Sequence, residues 1–237
     1  MKGRAMDYSS GWIMALRRIG QRMGILRPMQ RLYRRVFRID YEQAFDSALK
    51  NRVQAGDTVW DVGANIGHYA PQFADWTGPD GNVIAIEPSP SSLPELRAAV
   101  AGLANVTIKE VALSDENGTT EFFLSTEGAS ANEGLSKVGS DTGMVGHTVT
   151  VMRGEQLAVT HSPHVIKIDV EGFEFEVIEG LGTSLDDPRL HTIAVEVHFQ
   201  TLARRGQAGA PARLVEMLDA AGFDVRWTDP SHLVATR

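Results

Sequence analysis

Four apolar runs in this 237-residue sequence end in groups that can do chemistry. Thr58-Val59-Trp60 runs into Asp61, and Val83-Ile84-Ala85-Ile86 into Glu87. Val165-Ile166-Lys167-Ile168 delivers Asp169, with Glu171 close behind, and Ile193-Ala194-Val195-Glu196-Val197 delivers His198. Carboxylates and an imidazole at such ends can take a proton, hold hydroxyls or ligate a cation. Burying Lys167, Asp169 and Glu171 so close together is costly unless they are paired or liganded, which marks a functional cluster. A purely structural Lys-Asp pair capping the next helix is the alternative.

The stretch Asp61-Val62-Gly63-Ala64-Asn65-Ile66-Gly67 has the form of a nucleotide-binding turn between a strand and a helix. Gly63 admits a turn and a close backbone approach, and Gly67 admits tight helix packing. The nicotinamide fingerprint Gly-x-Gly-x-x-Gly fits poorly, because Asn65 replaces the middle glycine and Asp61 would repel a pyrophosphate. A carboxylate there suits a ligand with an amino group and a sulfonium, which points to S-adenosylmethionine. Glu87, twenty residues past Gly67, is placed to accept the hydroxyls of a ribose.

Strands must carry these groups, and helices must separate the strands. Helices are expected over 41–54, 66–77, 91–102, 173–180 and 208–221, with breakers such as Gly78-Pro79-Asp80-Gly81 between them. A third strand, Val106-Thr107-Ile108, reads as continuing through Val111 to Ser114, and strands 223–227 and 233–235 close the chain. Strand-helix alternation predicts an α/β domain around a parallel sheet, with ligands at the C-terminal strand ends. Gly118 to Leu124 reads as an added arm and Val149 to Val151 as a short strand. The Gly/Ser/Asn/Thr-rich stretch between Ser125 and His147 reads as a substrate-facing lid.

The division expected is a helical extension or cap over 1–54 and a cofactor-binding domain over 55–237. Residues 1–40 hold ten Lys or Arg against Asp7 and Asp40, so the chain's net charge of −7 hides +8 at one end and −15 in the rest. The balance gives no case for nucleic-acid binding, and the basic helices could pair two subunits or cover one end of the domain. Without cysteine there are no disulfides or thiolate sites. No run of eighteen apolar residues and no leader-type apolar core occur, so the expectation is a cytoplasmic protein with no integral membrane segment.

Asp-Val-Gly-Ala-Asn-Ile-Gly (61–67), Ile-Glu-Pro (86–88), Ala-Leu-Ser (112–114) and Ile-Lys-Ile-Asp-Val-Glu-Gly (166–172), in this order, resemble the FkbM-type S-adenosylmethionine-dependent methyltransferases. The similarity runs over roughly residues 55 to 200. It implies a class I methyltransferase (Rossmann-like) fold, a seven-stranded, mostly parallel sheet with its last strand antiparallel. It also implies O-methylation of a hydroxyl on a sugar, a glycolipid or polysaccharide precursor, or a natural product. By matching motif, Asp61, Gly63, Ala64, Asn65 and Gly67 would surround the cofactor's methionine part. Glu87, with Pro88 after it, would hold the ribose, and Ala112 and Ser114 would contact the adenine region.

Methyl transfer from a sulfonium is an in-line displacement that needs an aligned acceptor oxygen and a sink for its proton. The candidates are Asp169, Glu171 and His198, with Lys167 orienting a carboxylate or lowering its pKa. His198 is the natural base by its ordinary pKa, with His147 behind it. Asp169 with Glu196 or His198 could instead share a Mg²⁺ that lowers the hydroxyl's pKa. An N-methyltransferase, a nicotinamide-dependent oxidoreductase and a non-catalytic nucleotide-binding protein are the competing functions.

Overall fold

The computed structural model describes residues 41–125, 134–135 and 144–237. The basic segment 1–40, expected as helices that cover the domain or pair two subunits, and most of the expected lid lie outside these residues. Eleven strands and seven α-helices occur among the described residues. The main sheet uses β1 (Thr58–Val62), β2 (Asn82–Ile86), β3 (Val106–Lys109), β8 (Val165–Ile168), β9 (Thr192–Glu196), β10 (Asp224–Trp227) and β11 (His232–Thr236). Their spatial order is β3-β2-β1-β8-β9-β11-β10. Only β11 runs antiparallel to its neighbours, so the seven-stranded sheet with an antiparallel last strand is the one expected.

Alternation of side chains across this sheet sorts its residues between two cores. Trp60, Val62, Ile166, Ile168, Ile193 and Val195 face one core, shared with α5 (Glu174–Gly180) and α7 (Ala210–Ala220). Val59, Val83, Ala85, Val165, Ala194 and Val234 face the other. There they meet α1 (Tyr41–Lys50), α2 (Ala70–Thr77) and α3 (Leu93–Ala99). Helix α1, read from sequence as part of the extension, contributes the buried Phe45 and Leu49 to this second core. Its two buried anchors four residues apart are the stripe an amphipathic helix presents to a sheet.

The expected continuation of the third strand does not occur. β3 ends at Lys109, and β4 (Ala112–Ser114) leaves for a second sheet ordered β4-β7-β5-β6, with β5 Gly118–Ser125, β6 Gly134–Leu135 and β7 Met144–Arg153. Parallel pairing sets Ala112 opposite Val151 and Ser114 opposite Arg153, and a long antiparallel ladder joins β5 to β7. The Val/Thr alternation of 148–151 was legible as a strand. Residues 144–147, expected as the end of the loop, join the same strand because β5 offers them a partner, a non-local choice that propensity does not encode. Helix α4 (Gly154–Ala158) returns the chain to β8, and α6 (Phe199–Arg204), not foreseen from sequence, follows β9.

The two sheets are coupled through α5, which packs on β4 so closely that a Cβ on Gly180 would lie 1.9 Å from the Ser114 carbonyl oxygen. Gly180→Ala should therefore push β4 off the helix and cost about 3 kcal/mol or more, as other overpacked contacts do. Urea denaturation followed by intrinsic fluorescence checks this, against Gly209→Ser as a control at a glycine with an ordinary φ of −89° and nothing within 4 Å.

Candidate active site

Parity and register assemble the charged groups. Asp61, Glu87, Lys167, Glu196 and His232 share the face that bears α1, α2 and α3, because each is an even number of residues from an apolar neighbour in that core. Across the strands Asp61 pairs with Lys167, Lys167 with the small Ala194, and Glu196 with His232. The C-terminal ends of the parallel strands thus carry one continuous row of ionisable side chains.

In the first half of the row, Lys167 is buried, with its ammonium 3.2 Å from Asp61 Oδ1 and 3.5 Å from Asp169 Oδ2. It donates to the Gly63 carbonyl at 3.3 Å. Asp61 is wholly buried, and neither of its oxygens completes a hydrogen bond among the described residues. Burial pushes its carboxyl above the usual range, against the pull of Lys167. Burial likewise disfavours the Lys167 ammonium, yet Asp61 and Asp169 outweigh it and hold its pKa above the ordinary value. A buried carboxylate is tolerable only beside a cation, and Lys167 is that partner.

The glycine loop is built around this pair. A Cβ on Gly63 would lie 1.8 Å from the Asp169 carbonyl oxygen, so the glycine serves the approach of the chain's own β8 end. Gly67 gives room to Leu96 and Ala99 of α3. Asn65 takes a left-handed φ of 48°, and its Oδ1 accepts the Ser92 hydroxyl at 2.9 Å. Its backbone N–H, with that of Ser89, donates to Glu87 at 2.7 Å on either oxygen. Glu87 is therefore locked to the loop with one lone pair of each oxygen left over, the number a ribose diol needs. Ala64 is turned into the core, while Ile66 stands 48 % exposed at the tip of the loop. Pro88 leads from Glu87 toward α3. Ala112 opens β4 just beyond the end of β3. Ser114 is drawn into the second sheet, its hydroxyl donating to Asp115 and its carbonyl resting against Gly180.

The second half of the row converges on His198. Its Nδ1 lies 2.8 Å from Glu174 Oε1, and its Nε2 lies 3.3 Å from Glu171, 3.8 Å from Asp169 and 3.9 Å from Glu196. All four sequence candidates for catalysis, Lys167, Asp169, Glu171 and His198, are thus brought together. Glu171 reaches His198 through a left-handed φ of 53°, a backbone state costly for a side-chain-bearing residue and characteristic of functional sites. Gly172 follows with φ 102°, pressed so near α6 that a Cβ would sit 2.6 Å from Thr201. This explains the Glu-Gly order. His147 lies elsewhere, in β7 opposite Phe122.

Three partners escaped the sequence reading. Glu174, completely buried, holds His198 and also accepts the Gly172 N–H at 2.8 Å. His232 lies 3.4 Å from Glu196 Oε2 and 2.8 Å from Asp229 Oδ2, backing Glu196 as Glu174 backs His198. The Asp-Pro-Ser-His order at 229–232 reads as an ordinary turn, and nothing local ties it to residues thirty positions earlier. The surroundings of His198 set its proton affinity. Burial disfavours the imidazolium, but Glu174, Glu171 and Asp169 together raise its pKa to about 9, so in the metal-free protein it is charged at neutral pH. His232 is raised to about 9 by Asp229 and Glu196, again against burial. The imidazolium pair in turn holds Glu196 below the usual carboxylate range despite its burial.

One atom each from Asp169, Glu196 and His198 lies within 4.8 Å of the others, so the three can share one divalent cation. The Glu174–His198 contact fixes which imidazole nitrogen would face it.

Both histidines carry folded-state pKa values above the ordinary 6.5. Their stabilisation is therefore complete below about pH 6.5 and is lost as pH rises through about 9. In metal-free protein the melting temperature should fall by roughly 5 °C between about pH 6.5 and pH 9.5, and by about half as much in His232→Gln. Calorimetric scans across that range are the check. A flat wild-type profile would remove the charged pairs.

Residues 61–225 match the family model described as the methyltransferase FkbM domain. The hexuronic acid methyltransferase AglP of Haloferax volcanii is 30 % identical over 161 residues, 66 % of this chain and 62 % of that protein. The match thus spans less than two thirds of that relative. The 31-O-demethyl-FK506 methyltransferase FkbM of Streptomyces tacrolimicus is 30 % identical over 203 residues, covering 73 % of this chain and 75 % of its own length. Among solved structures, a protein assigned as an rRNA methylase from Clostridium thermocellum superposes with a TM-score of 0.51 at 12 % identity, over 82 % of this chain and 92 % of that one. A protein assigned as a methyltransferase from Streptococcus mutans, in complex with SAH, gives 0.50 at 11 % identity, over 82 % and 96 %. These two share the fold. Sheet order, the four motifs in register and the domain match lead to one conclusion: the chain belongs to the FkbM family of methyltransferases, on the class I S-adenosylmethionine-dependent fold.

Proposed function

We propose that this protein transfers the methyl group of S-adenosylmethionine to a hydroxyl of a sugar, of a glycolipid or polysaccharide precursor, or of a natural product. The observation that carries the reading is the position of Asp169. It stands between the Lys167–Asp61 pair on the cofactor side and His198 on the other, with its side chain 30 % exposed at the mouth of the crevice. The two relatives support the acceptor class, one named for a hexuronic acid and one for 31-O-demethyl-FK506.

In this reading Asp61 meets the cofactor's amino group, Gly63 to Gly67 line its methionine part, and Glu87 accepts its ribose hydroxyls, with Ala112 at the adenine edge. The acceptor oxygen attacks the methyl carbon as the carbon–sulfur bond breaks, and the hydroxyl proton passes to a carboxylate, Asp169 or Glu171. His198, held by Glu174, donates to and orients those carboxylates, and Lys167 keeps Asp169 aligned.

The donors of Asp169, Glu196 and His198 also fit a divalent cation, which when bound would lower the pKa of the acceptor hydroxyl. The imidazole among them suits Mn²⁺ or a later transition ion better than the Mg²⁺ expected from the carboxylates alone. N-methylation would use the same displacement, and the acceptor panel below separates it from O-methylation. The cytoplasm, where the methyl donor is made, is the location proposed.

Titration with S-adenosylhomocysteine, then labelled methyl transfer to a panel of hexuronic acids, glycolipid sugars, macrolide hydroxyls and amines, tests the reading. Asp169→Ala should lower turnover at least 100-fold while leaving S-adenosylhomocysteine affinity within about threefold, whereas Asp61→Ala should weaken that affinity about tenfold or more. Wild-type turnover in Asp169→Ala would take that residue out of the site. Turnover that persists after exhaustive EDTA treatment would take the cation out.

A further inference from the structure

His232 and Asp229 stand at the far end of the row from the glycine loop and have no part in the reaction proposed above. The turn that leads into β11 is built to hold them. Asp229 Oδ1 accepts the backbone N–H groups of Ser231 at 2.8 Å and His232 at 3.0 Å, and its Oδ2 lies 2.8 Å from His232 Nδ1. Phe45 of α1 packs against the imidazole, ring centroids 4.4 Å apart. Both side chains are buried, and the other ring nitrogen, Nε2, lies 3.4 Å from Glu196 Oε2.

The same pattern recurs at each of the three donors that can share a cation. Asp169 has its Oδ2 3.5 Å from the Lys167 ammonium, and His198 has its Nδ1 2.8 Å from Glu174 Oε1. Lys167 and Glu174 are buried, as His232 is. Each donor is thus left with one atom, Asp169 Oδ1, Glu196 Oε1 or His198 Nε2. These atoms face one another, with Nε2 3.8 Å from Oδ1 and 3.9 Å from Oε1. A tie between β9 and β11 alone would account for the contact of His232 with Glu196, but not for the same division at all three donors. Outer partners of this kind orient metal ligands and decide which atom each presents.

We infer that His232, oriented by Asp229, is a positioning residue for the cation, holding Glu196 Oε2 so that Oε1 alone enters the coordination sphere. Lys167 and Glu174 do the same for Asp169 and His198. The ion takes the place of the His198 Nε2 proton, which leaves to solvent, while Glu174 keeps the Nδ1 proton. One atom from each of three residues fills only part of a divalent ion's shell. The remaining positions open toward the crevice, where the Asp169 and Glu196 side chains are 30 % and 34 % exposed.

This inference rests on the cation reading, and the test keeps the two apart. Wild type, His232→Gln, His232→Asn and Asp229→Asn are titrated calorimetrically with Mn²⁺ alone and, separately, with S-adenosylhomocysteine. A glutamine amide reaches where Nε2 stood and keeps the contact with Glu196, whereas an asparagine amide reaches only as far as Nδ1 and keeps the contact with Asp229. His232→Asn should therefore lose about tenfold or more in Mn²⁺ affinity, and His232→Gln no more than about threefold. S-adenosylhomocysteine, bound at the other half of the row, should keep its affinity within about twofold in every variant. Wild-type Mn²⁺ affinity in His232→Asn, equal loss in the two His232 variants, or S-adenosylhomocysteine affinity falling in step with that for Mn²⁺ overturns the inference. If His232→Asn does not fold, Asp229→Asn decides: its amide holds the ring less firmly than a carboxylate, so Mn²⁺ affinity should fall about fivefold, and an unchanged value overturns the inference. Folded wild type that binds no Mn²⁺ removes the cation reading and this inference with it, while S-adenosylhomocysteine binding still reports separately on methyl transfer.

Discussion

The buried pairing of Asp61 with Lys167 is the constraint around which the rest of the site is arranged. Two charges in neighbouring central strands, both almost without solvent, are tolerable only while each keeps the other. Their proximity follows from the parallel register of β1 and β8, which sets the two residues directly opposite on one face. That register also fixes what surrounds them. The Gly63 carbonyl bends over the ammonium, the chain beyond β8 brings Asp169 to its other side, and only glycine at 63 leaves room for that approach.

From this pair the row of charges extends in both directions with a consistent logic. Toward β2, Glu87 accepts the backbone N–H groups of Asn65 in the glycine loop and of Ser89, so loop and carboxylate are held as one piece. Toward β9 and β11, each group facing the crevice has a buried partner behind it: Glu174 behind His198, and His232 with Asp229 behind Glu196. Groups held from behind keep their orientation without a ligand, which is the preorganisation that catalysis by positioning requires. The left-handed Glu171 belongs to the same arrangement, its backbone cost accepted where the side chain completes the ring of carboxylates about His198.

The electrostatics of such a row differ from the sum of its members. A histidine judged alone titrates near neutrality, but one surrounded by three or four carboxylates binds its proton far more tightly. The site as a whole is short of positive charge, a property that suits a cationic methyl donor and accommodates a divalent ion. It also explains why Lys167 lies deep in the fold: its ammonium offsets the cost of burying the Asp61 carboxylate.

Much of this was written in local order along the chain. Apolar runs ending in acids, the glycine spacing of 61–67 and the Asp-Val-Glu-Gly element were enough to name the fold, the cofactor class and the residues Asp61, Glu87, Lys167, Asp169, Glu171, Glu196 and His198, because strand ends and turn chemistry are properties of a few consecutive residues. What local order could not contain was partnership across long separations. The departure of Ala112–Ser114 into a second sheet, the packing of Phe45 against His232, the hold of Asp46 on Tyr69 and the backing of Glu196 by His232 all depend on which strands and helices become neighbours. The proton affinity of His198 depends on them too, since it is set by the charges within a few ångströms, and only the packed chain decides which those are.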